Sequence, residues 1–384
     1  MRGYAVRGSG CRHLGNSASL WGSVGQAHRT NAPNGAGRGS QMARRSRTTR
    51  TVTNGAVFDG LSRWARAGVE VLPEGTRWED AFTAAGLDYT VALAPVDFTT
   101  PDGQVRRMPG KAALYREDTL AGLSVVGSRY TPSQNRDTVL RLGVGFEAQG
   151  ARGVSLAELN GGRAVWGLMA LGDGITIPGD DSIVSGHLLI ASSHDGTVPT
   201  TVRGLAFRFD CANAFDLAVV SGVCHFRAKH TLTAPTRVDE FAATVEAVGE
   251  DFRAFCSVAT MLANTPFDEA MWRELVTTVA PLPTDGDGKV REGKVTARQQ
   301  DKQDALLALR GRDTVSDEMA GTAWGALNAL TESLDYLYGV TVATDKRNLG
   351  SEAAFARTLW GGNNAAKANA LRTVARIAGV SLTA

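Results

Sequence analysis

The sequence predicts an α+β protein in which an antiparallel sheet region with packed helices precedes a C-terminal helical region. Between Tyr89 and Val126, short and partly alternating apolar segments are separated by Pro-Asp-Gly, Pro-Gly and Glu-Asp, which is typical of antiparallel strands joined by turns. From Thr233 onward the apolar residues take helical spacing instead. We therefore divide the chain into a tail (1–50), a sheet-rich α+β region (51–232) and a helical region packed on it (233–384).

The first 50 residues are rich in Gly, Ser, Asn and Arg, so they cannot bury enough apolar surface to fold, and we expect a disordered Arg-rich tail. They contain nine of the 41 basic residues and no acid, which leaves 32 bases against 39 acids, a net charge of −7, in the rest of the chain. Nucleic acid would therefore have to bind at a local basic strip or at the tail. The alternative is that the tail is inert, and translation starts at either Met1 or Met42.

The first elements have recognisable boundaries. In TRWEDAFTAAG, Thr76 can cap a helix that Gly86 ends. Further along, Thr131 can act as a cap, with Pro132 at the first helical position and Gln134 returning a bond to the cap. This pattern predicts a helix from Pro132 to about Leu142. The strands predicted between these two helices are Tyr89–Val96, Val105–Met108, Ala112–Tyr115 and Leu120–Val126.

The next segments alternate between strands and turns. Asp195-Gly196 is typical of a tight hairpin turn between two strands, and Asp210 can cap a short helix in CANAFDLAV. The strands predicted here are Arg163–Ala170, His187–Ser193, Thr201–Phe209 and Val223–His230.

The helical half begins with a long apolar seam that keeps strict four-three spacing. Its residues are Val238, Phe241, Val245, Val248, Phe252, Phe255, Ala259 and Leu262. The seam packs on the core of the same chain or on a second copy. The further helices predicted are Phe267–Val279, Ala297–Arg310, Glu318–Tyr338, Glu352–Leu359 and Ala365–Ala378.

Several chemical classes find no support in the sequence. No segment approaches the roughly 18 apolar residues of a membrane span and no secretory signal is present, so we expect a cytoplasmic protein without a membrane partner. The four cysteines lack zinc-motif spacing, and the GxSxG, GxGxxG and phosphate-loop patterns are absent. His194-Asp195 is a poor catalytic dyad because neighbours in an extended chain point apart. We therefore assign no catalytic residue, no metal site and no cofactor.

A binding surface remains. In the strand near Cys224, His225, Arg227 and Lys229 share one face at intervals of about 6.7 Å, which suits the phosphates of a single strand. An exposed polar sheet face explains the same pattern. Arg129 and Tyr130 precede the predicted helix start, where anions bind, or they only decorate it. The candidate nucleic-acid-binding residues are Arg129, Tyr130, Arg136, Arg208, Phe226, Arg227 and Lys229.

The chain resembles the phage and plasmid-like proteins built on domain of unknown function 932. The segments that carry the resemblance are SRWARAG near Arg63, RWEDAFTAAGLDYTV, VVGSRYTPSQNRD, SSHDGT, FDCANAFDLA, FRAKHT and GTAWGALNALTESLDY. The layout between Tyr89 and Leu142 is also similar to the core of RecT and Red-beta type single-strand annealing proteins. This similarity implies a non-enzymatic, mobile-element protein that binds or anneals single-stranded DNA and forms a homo-oligomer. The alternative is a structural or interaction protein without a nucleic-acid role.

Overall fold

The structure is a computed structural model, and it describes residues 55–58, 70–180, 182–196, 198–208, 213–217, 226–228, 244–311, 317–334 and 363–382. The predicted tail, Lys229 and the predicted helix Glu352–Leu359 lie outside these residues. The described strands are β1 (Gly55–Phe58), β2 (Glu70–Leu72), β3 (Val91–Thr99), β4 (Val105–Arg116), β5 (Gly122–Gly127), β6 (Arg152–Leu159), β7 (Ala164–Thr176), β8 (Ile183–Ser193), β9 (Thr200–Arg208), β10 (Asn213–Asp216) and β11 (Phe226–Ala228).

The structure combines these largely antiparallel strands with helices, so the predicted α+β class is confirmed. They are α1 (Trp78–Ala84), α2 (Arg141–Glu147), α3 (Thr244–Ala263), α4 (Glu269–Val279), α5 (Ala297–Leu307), α6 (Asp317–Ala320), α7 (Ala323–Glu332) and α8 (Asn364–Ile377). A π-helical turn (Arg136–Leu140) precedes α2, and short 3-10 helices cover Glu292–Lys294 and Ala308–Gly311.

The strands form two sheets. The larger has the order β10-β9-β8-β7-β6-β1-β2, and β11 also pairs with β9. Its pairs are antiparallel except for β1 with β2. The smaller sheet has the order β3-β4-β5 and is antiparallel throughout, as expected for a meander between Tyr89 and Val126. The strands predicted at Val105–Met108 and Ala112–Tyr115 are a single strand, β4, which continues through Pro109-Gly110.

Trp78 anchors α1 on the larger sheet. Its side chain is fully buried, and its indole N–H donates a hydrogen bond of 3.1 Å to the carbonyl of Val139. Glycines make room for the ring, because a Cβ at Gly143 or Gly167 would lie 2.0 or 2.6 Å from it. The predicted cap of this helix is wrong. The backbone N–H of Trp78 bonds to the carboxylate of Glu147 at 2.8 Å, while Thr76 bonds back to Pro73.

The described part of the apolar seam predicted for the long helix packs inside the chain, whereas Val238 and Phe241 lie outside the described residues. In α3 the buried members of that seam are Val248, Phe252, Phe255, Ala259 and Leu262. A Cβ on Gly186 of β8 would lie 2.8 Å from the ring of Phe252, so the helix approaches the sheet closely there. The described part of the seam therefore serves the core.

The predicted helix from Glu318 is broken into α6 and α7. Thr322 begins the second helix, because its hydroxyl accepts a hydrogen bond of 3.1 Å from the backbone N–H of Gly325. The neighbouring Gly321 and Ala323 bond to the backbone of Phe267 and Thr265. Tertiary contacts thus determine the break, and every residue of α7 is buried.

The helix predicted from Pro132 starts later than expected. Residues 131–134 have no regular structure, and the helical turns begin at Arg136. The capping box does not form because Gln134 bonds instead to both backbone groups of Val91, at 3.0 and 2.9 Å. These bonds join the segment to the edge of the smaller sheet.

The short helix predicted after Asp210 is a strand. Asn213–Asp216 pairs with Leu205–Arg208 as β10, so the backbone bonds of the segment go to the sheet. A free sheet edge satisfied these groups better than a short isolated helix, which is marginal at this length.

Candidate functional site

Three segments that are distant in sequence meet at one end of the larger sheet. The backbone N–H of His194 donates a hydrogen bond of 2.7 Å to the carbonyl of Arg163. The imidazole Nε2 of His194 lies 2.9 Å from Oδ1 of Asn135, just after the smaller sheet. The Asp195 carboxylate is near enough to Tyr130 to raise the pKa of its phenol. We call the segments Ser128–Tyr130, Asn160–Arg163 and His194–Gly196 the turn edge.

Asn135 fixes the hydrogen position on the His194 ring. Its Nδ2 donates to the carbonyl of Leu87 at 2.9 Å, so its Oδ1 is the atom that faces His194. Since that oxygen can only accept, Nε2 of His194 carries the hydrogen. Both side chains are 1% exposed, and the bond therefore serves as an interior brace beneath the surface.

A buried ion pair lies beside this brace. The Arg116 guanidinium donates from Nη1 to Glu158 at 2.6 Å, and from Nε and Nη2 to Asp118 at 3.0 and 2.7 Å. Its Cζ stacks 3.7 Å from the ring centroid of Tyr89. The cluster ties β4 to β6 and so holds the smaller sheet against the larger one.

Gly162 closes the cluster from the turn between β6 and β7. Gly161 and Gly162 have φ angles of +66° and +89°, in the left-handed region that glycine favours. The carbonyl of Gly162 accepts a hydrogen bond of 3.2 Å from the Tyr89 hydroxyl. A Cβ at Gly162 would lie 2.8 Å from that hydroxyl, so the turn and the buried ring depend on each other.

The titratable groups here are not prepared for acid–base chemistry. Burial raises the pKa of Tyr89, outweighing the hydrogen bond with Asn135 that lowers it. Burial, with the nearby Asp195 carboxylate, raises the pKa of Tyr130 to about 12. The hydrogen bond from Arg116 lowers the pKa of Asp118. At neutral pH both phenols are therefore neutral and Asp118 is charged, an arrangement that suits structure and binding.

The sequence-predicted residues divide between two places. Arg129 is exposed and Tyr130 half-buried on the turn edge. Arg136 follows Asn135 and forms an exposed ion pair with Asp88. Phe226 and Arg227 lie on β11, whose register sets Arg227 opposite Thr201 at the start of β9, close to the same turn. Lys229 lies outside the described residues.

Arg208 lies elsewhere. It ends β9, eight residues from Thr200, or about 27 Å at 3.4 Å per residue. Its guanidinium is 5% exposed and donates to both oxygens of Asp180, at 2.7 and 2.8 Å. Asp180 also accepts from the indole of Trp324 at 2.9 Å, so Arg208 helps to join the sheet to α7.

Sequence reasoning missed two features of this end. Arg163 is exposed on the turn edge, and its position after Gly161-Gly162 was the available signal for a loop-borne cation. The Arg116 cluster left no signal, since a lone arginine in an apolar strand shows no partner in the sequence.

Within the described ranges, no three His, Cys, Asp or Glu side chains are grouped so that they could hold a metal ion. Among the helices that the structure describes, none has the length and apolar character needed to cross a membrane.

The comparisons with known proteins agree with the motifs. No curated protein and no solved structure matches the chain. The model of a family described as a domain of unknown function, DUF932, matches residues 122–349, which is more than half of the chain. That range includes the segments VVGSRYTPSQNRD and SSHDGT, which meet through Asn135 and His194. The resemblance predicted from these segments is confirmed, and the chain belongs to the DUF932 family.

Proposed function

We propose that the protein binds single-stranded DNA through its phosphate backbone at the turn edge, without catalysing a reaction. The observation that carries the proposal is that Arg129 and Arg163, from separate segments, are both exposed on this edge. Tyr130 follows Arg129 and is half-buried, and the strand that carries Arg227 pairs with the start of β9. A predicted cation, Arg129, and a newly found one, Arg163, thus both belong to the turn edge.

Charge supports a local site. The chain outside its first 50 residues carries a net charge of −7, so phosphates are repelled by most of its surface. Arg129 and Arg163 have no ion pair with any described residue, whereas Arg136 is paired with Asp88. Exposed guanidinium groups on loops suit phosphate contacts because their donors match phosphate oxygens. The buried cluster beneath holds these loops in place.

The test is a salt titration. We expect the full chain to bind a fluorescent oligothymidylate of about 30 nucleotides, with an affinity that falls steeply with salt. Removing two phosphate contacts with Arg129→Ala and Arg163→Ala reduces the steepness of log K against log salt by about 1.4, since each contact on a single strand contributes about 0.7.

A matched control separates this site from total charge. Arg291 precedes α5 and Arg298 lies within it, and both arginines are exposed, away from the two sheets. Their double replacement by alanine removes the same charge and retains the same tail, so the salt dependence should stay that of the unaltered protein. Absence of any oligonucleotide binding at low salt, or equal effects of the two double variants, contradicts the proposal.

The proposal extends to annealing by a homo-oligomer in the cytoplasm, as the similarity to single-strand annealing proteins implies. Mixing complementary labelled oligonucleotides with the protein measures annealing, and light scattering measures the mass. Binding without faster annealing limits the function to single-strand binding. A monomer that binds no oligonucleotide favours a structural or interaction protein.

A further inference from the structure

In the smaller sheet, β3 and β4 extend beyond the end of β5. β5 ends at Gly127, opposite Lys111, while β3 and β4 pair further through Asp97↔Arg107, Phe98↔Arg106 and Thr99↔Val105. A turn closes the ribbon, with the backbone N–H of Thr100 bonded to the carbonyl of Gln104 at 2.9 Å. We call Val96–Pro109 the β3–β4 arm.

The arm exposes large apolar side chains. Phe98, Val105 and Met108 are 43%, 70% and 38% exposed, and every residue from Pro101 to Lys111 is exposed. A two-stranded ribbon without a core is marginally stable, and large exposed apolar groups on it indicate a segment that binds something. The exposure is therefore shared by the whole arm and is not confined to one residue.

Aromatic and cationic groups lie together on this arm. Phe98 is directly opposite Arg106, so the two side chains share one face of the ribbon. Arg107 is paired with Asp97 across the arm, whereas Arg106 and Lys111 have no ion pair with a described residue. A flat apolar ring opposite a guanidinium that has no ion pair with a described residue matches the base and phosphate of one nucleotide.

The root of the arm is continuous with the turn edge. The backbone N–H of Ser128 donates to the carbonyl of Gly110 at 3.0 Å, and Lys111 lies opposite Gly127. Arg129 follows two residues after Gly127, so exposed cations lead from the turn edge to the arm. A strand bound at the turn edge would continue along this line.

A second copy of the chain fits the arm less well. The outer edge of β3 is closed below the arm, because Gln134 occupies both backbone groups of Val91 and Pro95 has no N–H to donate. Two-fold pairing of β4 with its copy would bring Arg106 and Arg107 of one chain against those of the other, and like charges opposite each other are unfavourable.

We propose that the β3–β4 arm binds unpaired bases, with Phe98 stacking on a base and Arg106 contacting the adjacent phosphate. Lys111, at the root of the arm, contacts a phosphate nearer to the turn edge. This inference rests on the proposed function and adds a second, non-ionic part of the binding site. Bases in a duplex are already stacked and cannot reach Phe98. The arm therefore makes the protein favour single strands over duplexes.

The test replaces Phe98 in the full chain. We expect Phe98→Ala to weaken affinity for an oligothymidylate about 5- to 150-fold, the range for loss of one stacked base. The steepness of the salt dependence stays the same, because phenylalanine carries no charge. Affinity for a duplex of equal length stays the same, and Phe98→Trp restores binding to the single strand.

The control is Met261→Ala, which removes an apolar side chain of similar exposure, 38%, from α3 and should leave affinity unchanged. Thermal unfolding and light scattering accompany each variant. Unchanged single-strand affinity for Phe98→Ala overturns the inference while the turn-edge result still stands. A loss of affinity that comes with a lower mass also overturns it, because the arm then joins copies of the chain.

Discussion

The imidazole Nε2 of His194 and the amide Oδ1 of Asn135 lie 2.9 Å apart although 59 residues separate them in the sequence. This bond joins the turn after β8 to the segment that follows the smaller sheet. Both side chains belong to segments on which the family resemblance depends. The bond shows these segments serving one structural purpose, which is to position the turn edge.

Asn135→Ala should destabilise the protein by about 2–4 kcal/mol, because the buried Leu87 carbonyl and His194 ring each lose their hydrogen bond to Asn135. Urea unfolding measures the change. Gln149→Ala is the control, since its side chain bonds only to Gly145 within its own helical turn and is exposed. Equal effects of the two variants would show that the brace contributes no stability.

Arg116→Met should cost about 3–5 kcal/mol, because Glu158 is then buried without its cation. Adding Glu158→Leu should recover much of that loss, since the pair is replaced by apolar side chains. The measurement is the free energy of unfolding of the two single variants and the double variant. A double variant as unstable as the sum of its singles would contradict the pairing.

His187 should make stability depend on pH in a defined window. Burial lowers its pKa from 6.5 to about 4, and the bond to Ser185 only partly opposes this shift. Because the folded state holds the ring neutral, this contribution is present above about pH 6.5 and is lost as the pH falls to about 4, on the order of 3 kcal/mol.

His187→Gln is the matching variant, because it cannot titrate. The difference in unfolding free energy between the unaltered protein and this variant should shrink from pH 7 to pH 4.5. The carboxylates of Asp118 and Asp180 do not interfere there, since both have lowered pKa values and lose their contribution below about pH 3.8. A difference that stays constant over this range refutes the prediction.

Arg208→Ala should lower stability by about 3–5 kcal/mol, because Asp180 is left buried without its partner. Burial raises the pKa of Asp180, but hydrogen bonds from Arg208 and Trp324 outweigh it and lower the pKa overall. The salt dependence of oligonucleotide binding should not change, provided that it is measured well below the unfolding temperature. A smaller salt dependence would show that Arg208 takes part in oligonucleotide binding.

Much of the fold follows from local pattern. Alternation and turn residues sufficed for β3 and β5, although Pro109-Gly110 predicted a turn inside β4. Four-three spacing sufficed for the buried face of α3. Prediction failed where a distant partner offered the backbone better bonds. Gln134 bonds to Val91 instead of capping a helix, and Asn213–Asp216 joins the edge of β9.

The candidate site was less predictable, because exposure and pairing are tertiary properties. Arg129 and Arg208 are both arginines next to apolar strands, and no local feature of the sequence separates them. Only the structure shows that Asp180 binds Arg208 in the interior, while Arg129 is exposed. The place of Arg163 in the candidate site depends on the hydrogen bond that its carbonyl accepts from the backbone N–H of His194.

The most direct test of the account is the salt dependence of single-strand binding in the Arg129→Ala and Arg163→Ala double variant. We expect the slope of log K against log salt to become less steep by about 1.4 than in the unaltered protein. The Arg291→Ala and Arg298→Ala control should keep the full slope. Identical slopes in all three proteins, or no binding by any of them, would contradict the central claim.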